Sequence, residues 1–169
     1  INRRTFHFKM PAGTSRGIYT TRQSYFLTIQ DDAYPEVKGI GECAPLPDLS
    51  CDAIPEYDNI LHQLCKMVEN LGKIPYEMLR PYPSILFGLE TAFAQLKVQG
   101  RTMLFDTPFG RGEEGIRING LIWMGSFEEM CGRLEEKLKQ GFHCVKLKIG
   151  AIDFEKELEL IKHIRQSFD

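Results

Sequence analysis

Lys146-Leu147-Lys148 is the triplet with most to offer chemically, because it sets two cations inside the short apolar run from Cys144 to Ile149. Side chains two apart on a strand share a face, so both ammonium groups point one way while Val145, Leu147 and Ile149 point the other. Where such a face looks into the centre of a parallel sheet near its carboxyl edge, the neighbouring cation and desolvation both favour the neutral amine. A neutral lysine is a usable general base. A half-exposed strand carrying two solvated lysines is the competing interpretation, and the triplet by itself leaves both open.

Other candidates are fewer. Gly41-Glu42-Cys43-Ala44-Pro45-Leu46-Pro47 runs from a strand end into two prolines separated by one leucine, which reads as a stiff strand-to-helix connection. Glu42 has no second carboxylate at useful spacing, so no catalysis is assigned to it. His7, His62, His143 and His163 lack the spacing of a zinc site, and Asp31-Asp32 and Glu113-Glu114 read as solvated turn residues. No dinucleotide fingerprint, P-loop or nucleophile elbow occurs. Residues 11–22, rich in glycine, arginine and hydroxyl groups, offer little that anchors in a core and read as a long loop, either disordered or functional.

The elements around these residues follow from periodicity. Thr5 to Lys9, Ser24 to Ile29 and Val37 to Glu42 alternate as strands of a small antiparallel meander. From Tyr57, the apolar positions Ile60, Leu61, Leu64, Cys65, Val68 and Leu71 recur at three and four, and Gly72 stands where a left-handed cap ends a helix. Ser84 then opens a second helix through Ile85, Leu86, Phe87, Leu89, Ala92, Phe93 and Leu96 toward Gly100, apolar on more than one face and so expected to be buried on several sides.

After the Gly- and charge-rich stretch Gly110 to Gly115, taken as a linker, the pattern changes to βαβα. Ile116 to Trp123 reads as a strand, Ser126 with Glu129 as a capping box, and Gly141 as a helix stop. Cys144 to Ile149 is the second strand, and Asp153 caps a last helix with Phe154, Leu158, Ile161 and Ile164 inward. A strand-to-strand step of about 28 residues is the repeat of a βα barrel unit. Eight such units need roughly 220 residues, whereas 53 follow Ile116. The sheet is therefore either something smaller or the start of a barrel in a fragment.

Composition narrows the class. The 169 residues carry 21 Lys+Arg against 23 Asp+Glu, a formal net charge of -2 that offers no footprint for nucleic acid or an anionic membrane. Five cysteines without a CxxC pair point to a reducing, cytoplasmic setting. No apolar stretch has the length of a membrane span, and the amino-terminal residues lack a signal-peptide pattern.

Taken together, Gly41-Glu-Cys-Ala-Pro-Leu-Pro47 with Ser50, Pro83-Ser-Ile-Leu-Phe-Gly88, Asn119-Gly120 and Lys146-Leu-Lys-Ile-Gly150 resemble the enolase superfamily. Within it they resemble the muconate lactonizing enzyme subgroup and its o-succinylbenzoate synthase family of menaquinone biosynthesis. A glycine usually occupies the place of Asp48 in that family. The resemblance implies an α+β capping domain, an antiparallel meander plus helices, over residues 1–112. The first two βα units of an incomplete (β/α) barrel would then occupy residues 113–169.

Further implications concern chemistry. The resemblance makes Lys148 the base that abstracts the proton α to a carboxylate, Lys146 its electrostatic partner, and Mg²⁺ the ion that stabilises the enediolate in a hydro-lyase reaction. The three acidic metal ligands are expected beyond Asp169, with no metal site in this chain, which would make it an inactive piece. Residues 11–22 would be a mobile lid in which Thr21, Arg22 and Arg16 meet a small-molecule carboxylate substrate, Asn119 contributing from the first barrel strand. A solvated loop arginine remains the alternative for Arg22. Rival readings are a dipeptide epimerase or N-acylamino acid racemase of the same subgroup, and a non-catalytic interaction module. Oligomeric state is not readable.

Overall fold

The computed structural model describes residues 1–14, 16–150 and 152–167, which fall into two units, Ile1–Glu113 and Glu114–Asp169. In the first unit, alternation produces β1 (Asn2–Thr14), β2 (Gly17–Asp31) and β3 (Tyr34–Cys43), an antiparallel sheet in the order β1-β2-β3. The strands run further than expected. Ala12 pairs with Tyr19, Gly13 with Ile18 and Thr14 with Gly17, so residues 11–14 and 17–22 lie on paired strands and not in a loop. Core anchors are indeed missing there, since Met10 and Ile18 are more than two-thirds exposed. Backbone pairing of Ala12 to Thr14 with Gly17 to Tyr19 orders the arm. The ladder is irregular between His7 and Ala12, where the arm leaves the body of the sheet.

Helices cover one face of this sheet. α1 (Tyr57–Leu71) buries Tyr57, Leu61, Leu64 and Val68, and Gly72 closes it in the left-handed conformation with φ 63°. A single turn, α2 (Tyr76–Leu79), escaped the sequence reading, yet its Leu79 is fully buried. α3 (Pro83–Lys97) buries Ile85, Gly88, Leu89 and Ala92 and packs Leu86 and Phe93 on the same core, a wide buried arc that leaves Phe87, 64% exposed, on the open side. The β3–α3 approach is of backbone on backbone: a Cβ on Gly39 would overlap the Ala92 carbonyl, and one on Gly41 the Gly88 carbonyl.

Ser84 lies within the first turn of α3 and not at its cap. Its N–H and hydroxyl both donate to the buried Asp52, at 2.8 and 2.5 Å, and its Oγ is 2.7 Å from the Tyr57 hydroxyl. A carboxylate 32 residues upstream thus satisfies a helix N-terminus that no adjacent side chain caps.

In the second unit, β4 (Gly120–Ile122) and β5 (Val145–Leu147) pair in parallel, with Leu121 opposite Lys146 and Ile122 opposite Leu147. Both strands are shorter than expected: Ile116 to Asn119, Trp123, Cys144, Lys148 and Ile149 lie outside them. α4 (Phe127–Lys139) opens with the full capping box, Ser126 accepting from Glu129 N–H and the Glu129 carboxylate from Ser126 N–H. Ile122, Met130, Leu134 and Leu160 form the core, flanked by Val145, Leu147 and Ile164. α5 (Phe154–Ser167) therefore turns Glu157, Leu160 and Ile164 inward. Phe154, Leu158 and Ile161 are exposed, correcting three of the four expected contacts. The helix carries two apolar rows, and packing on α4 and the sheet selects one of them.

Candidate active-site residues

Alternation about β5 delivers Val145 and Leu147 to the helix-side core and leaves Lys146 exposed on the other face. Lys148 follows the strand, but its backbone still donates to the Ile122 carbonyl at 3.1 Å, which carries the pleat one residue further. Its side chain is half-buried, with Nζ 5.3 Å from the centroid of the Trp123 ring. Ile149 is 57% exposed and does not join Val145 and Leu147, because the ladder has ended. Asn119 is exposed, one residue before β4.

The loops after the two strands are each held by the helix that follows. Arg133 of α4 donates from Nη1 to the Trp123 and Met124 carbonyls, both at 2.8 Å. Glu157 of α5, 6% exposed, accepts from the N–H of Gly150. These bonds involve ionised partners inside or at the edge of a core, where they hold geometry well. Sequence reasoning passed over Trp123, Arg133 and Glu157. The available signal was a charged residue on the inward row of an amphipathic helix.

The residues expected to contact substrate in the first unit also make bonds within the protein. Thr21 and Arg22 lie on β2, paired with His7 and Phe6, and not in a lid loop. Arg22 Nη2 donates to the Ala44 carbonyl at 3.1 Å, while its Nε is buried without a protein partner. Tyr19 donates to the Pro47 carbonyl at 3.3 Å and lies 3.2 Å from Asp48 Oδ2. Arg22 and Tyr19 thus tie the hairpin arm to the Ala44–Asp48 segment. Asp48 adopts φ 61°, the region glycine favours and aspartate tolerates, so the aspartate fits where the family usually has glycine. Arg16 is exposed, its N–H donating to Thr14 Oγ1.

Glu113 is not a simply solvated turn residue: Arg111 grips it with two bonds of 2.8 and 2.9 Å and also bonds Asp106, which holds the Glu113 carboxyl below its usual range. Burial pushes the Cys43 thiol up to about 12, so it is an inert packing group. Among the described residues, no three His, Cys, Asp or Glu side chains stand where they could hold a metal ion. The described residues therefore do not fit the Mg²⁺ that the resemblance implies. No helix of the described residues is long and apolar enough to cross a membrane.

A three-stranded meander backed by helices, followed by parallel βα units, is the capping domain and opening barrel of the enolase superfamily. Residues 6–96 match the family model described as MenC, N-terminal domain, and the chain belongs to the MenC, or o-succinylbenzoate synthase, family. It is 34% identical over 192 aligned positions to the o-succinylbenzoate synthase of Desulfotalea psychrophila, covering 95% of this chain and 51% of that protein. The crystal structure of MenC from the same organism superposes with a TM-score of 0.66 at 27% identity, covering 99% of this chain and 53% of that one. The o-succinylbenzoate synthase of Thermosynechococcus elongatus, solved with Mg in its active site, gives 0.66 at 22% identity, covering 99% and 48%. The chain spans about half the length of these relatives.

Proposed function

We propose that this chain is the amino-terminal part of an o-succinylbenzoate synthase. The enzyme would be a hydro-lyase that removes water from a succinyl-hydroxycyclohexadiene-carboxylate in menaquinone biosynthesis. The observation that carries the reading is Lys148, which stands off the helix-side core of β5, beside Lys146, in a chain of this family. Neutral Lys148 takes the proton α to the substrate carboxylate, and the electron pair moves onto the carboxylate oxygens. That pair returns to expel the hydroxyl group, and the Lys148 ammonium returns the proton to the leaving oxygen, which departs as water. The balance needs no oxidant or reductant. Lys146 supplies positive charge beside the developing anion.

Arg22, Arg16, Thr21 and Asn119 remain proposed contacts for a small carboxylate substrate. The capping domain is proposed to end near residue 112 and the barrel to begin at 113. Mg²⁺ belongs to the proposal as a cofactor whose ligands lie outside the described residues, so this polypeptide alone is expected to be inactive.

Two assays test this. The 169-residue polypeptide, given the substrate with and without Mg²⁺, should form no product, and turnover at a normal enzymatic rate overturns the inactive-piece reading. A chain continued to the length of its relatives should dehydrate the substrate, and Lys148→Ala should lower kcat by roughly 10²–10⁴-fold. A continued chain that epimerises dipeptides but forms no o-succinylbenzoate overturns the assignment.

A further inference from the structure

We infer that Trp123, whose backbone carbonyl Arg133 holds, is the positioning residue for the Lys148 ammonium. The functional meaning rests on the proposed role of Lys148 as the base, while the geometry stands without it. Lysine ends in a compact charge on a flexible four-carbon stem, and a half-buried lysine at a strand end has many rotamers open to it. Two observations restrict this one. The Lys148 N–H is bonded to the Ile122 carbonyl, which sets the root of the side chain directly beside Trp123. Nζ then lies 5.3 Å from the indole centroid, within the range in which the negative face of the ring attracts a cation.

The backbone that carries the ring is also held. Arg133 Nη1 bonds the carbonyls of both Trp123 and Met124 at 2.8 Å, so the backbone at the end of β4 is clamped from α4. On the far side of Lys148, Glu157 clamps Gly150 from α5. Lys148 therefore sits between two fixed loop roots, and Trp123 defines where along that span its charge rests. The ring attracts the ammonium and not the neutral amine, so it acts on the protonated form, which waits to return a proton to the leaving group.

Selective ¹³Cε-lysine labelling and proton–carbon NMR of the 169-residue chain test this without any assay of activity. Lys148→Met assigns the Lys148 signal by its loss. The Lys148 ε-protons should lie upfield of those of an exposed lysine through the indole ring current. Trp123→Leu should return them to the exposed position, and Trp123→Phe should leave an intermediate shift. Arg133→Met should move them part of the way with Trp123 intact, and far-UV circular dichroism confirms that each variant is folded. Lys148 ε-protons at the exposed position in the native chain overturn the inference. So does an upfield shift that survives Trp123→Leu. Either outcome leaves the dehydration assays to decide the proposed function separately.

Discussion

The same change, glycine to alanine, should act with opposite sign in the two units. At Gly41 the added methyl group would meet the Gly88 carbonyl, carbonyl carbon and Cα, all backbone atoms that cannot rotate away. The remedy is to push β3 off α3, which opens contacts along a pair of elements whose Cys43, Ile85 and Leu89 are at most 1% exposed. Overpacking of this kind costs about 1–3 kcal/mol where side chains absorb it and more where backbone must move, so a loss of about 3 kcal/mol is expected. For a unit of this size, that lowers the unfolding midpoint by roughly 12 °C.

Gly132 lies exposed in α4 with nothing within 4 Å of a built Cβ. There alanine removes the backbone freedom of the unfolded glycine and should add about 0.8–1 kcal/mol. The chain has a single tryptophan, Trp123, in the second unit, so its emission during urea titration reports that unit alone. Near-UV circular dichroism of the Tyr25–Tyr57 pair, centroids 5.2 Å apart, reports the first. Gly41→Ala should shift the tyrosine signal, and Gly132→Ala should move the tryptophan signal the other way. An unchanged tyrosine midpoint in Gly41→Ala would refute the backbone-on-backbone packing.

Further outcomes follow from single groups. Ser126→Ala removes one half of the capping box and should cost about 1 kcal/mol, read as a lower urea midpoint in tryptophan emission. Asp52→Ala deprives Ser84 of the acceptor for both its N–H and hydroxyl and should cost about 2–3 kcal/mol in the tyrosine signal; a neutral result would contradict the remote cap. For Cys43, the unfolded thiol ionises near 9.0 and the folded one near about 12, so above 9.0 only the unfolded state releases the proton. Its contribution is whole below pH 9.0 and fades as pH rises toward 12. Tyr57 and Cys65, also raised by burial, act in the same direction. Urea midpoints measured from pH 8 upward should fall, and Cys43→Ala should flatten that fall.

Local pattern alone determined a good deal of this molecule. The three-and-four spacing from Ile60 to Leu71 and the glycine after it define α1, and Ser126 with Glu129 defines the start of α4, because helix periodicity and capping are settled within a few residues. The alternation Val145-Lys146-Leu147 likewise separates core from open face. The family resemblance came from other short motifs, Gly41 to Pro47, Pro83 to Gly88, Asn119-Gly120 and Lys146 to Gly150. What the chain alone withheld involves partners distant in sequence. Residues 11–14 and 17–22 look unanchored until β1 and β2 pair, since composition displays neither the backbone ladder nor the bonds of Tyr19 and Arg22 to the Ala44–Asp48 segment. Asp52 meets Ser84 only after the chain has turned back, and Gly39 and Gly41 look like weak strand residues until α3 presses against them. On α5, two apolar rows of similar quality leave the inward face undecided, and the neighbouring helix chooses Leu160 over Leu158. Trp123 meets Lys148 only because β4 and β5 pair in parallel, a register that no stretch of either strand encodes by itself.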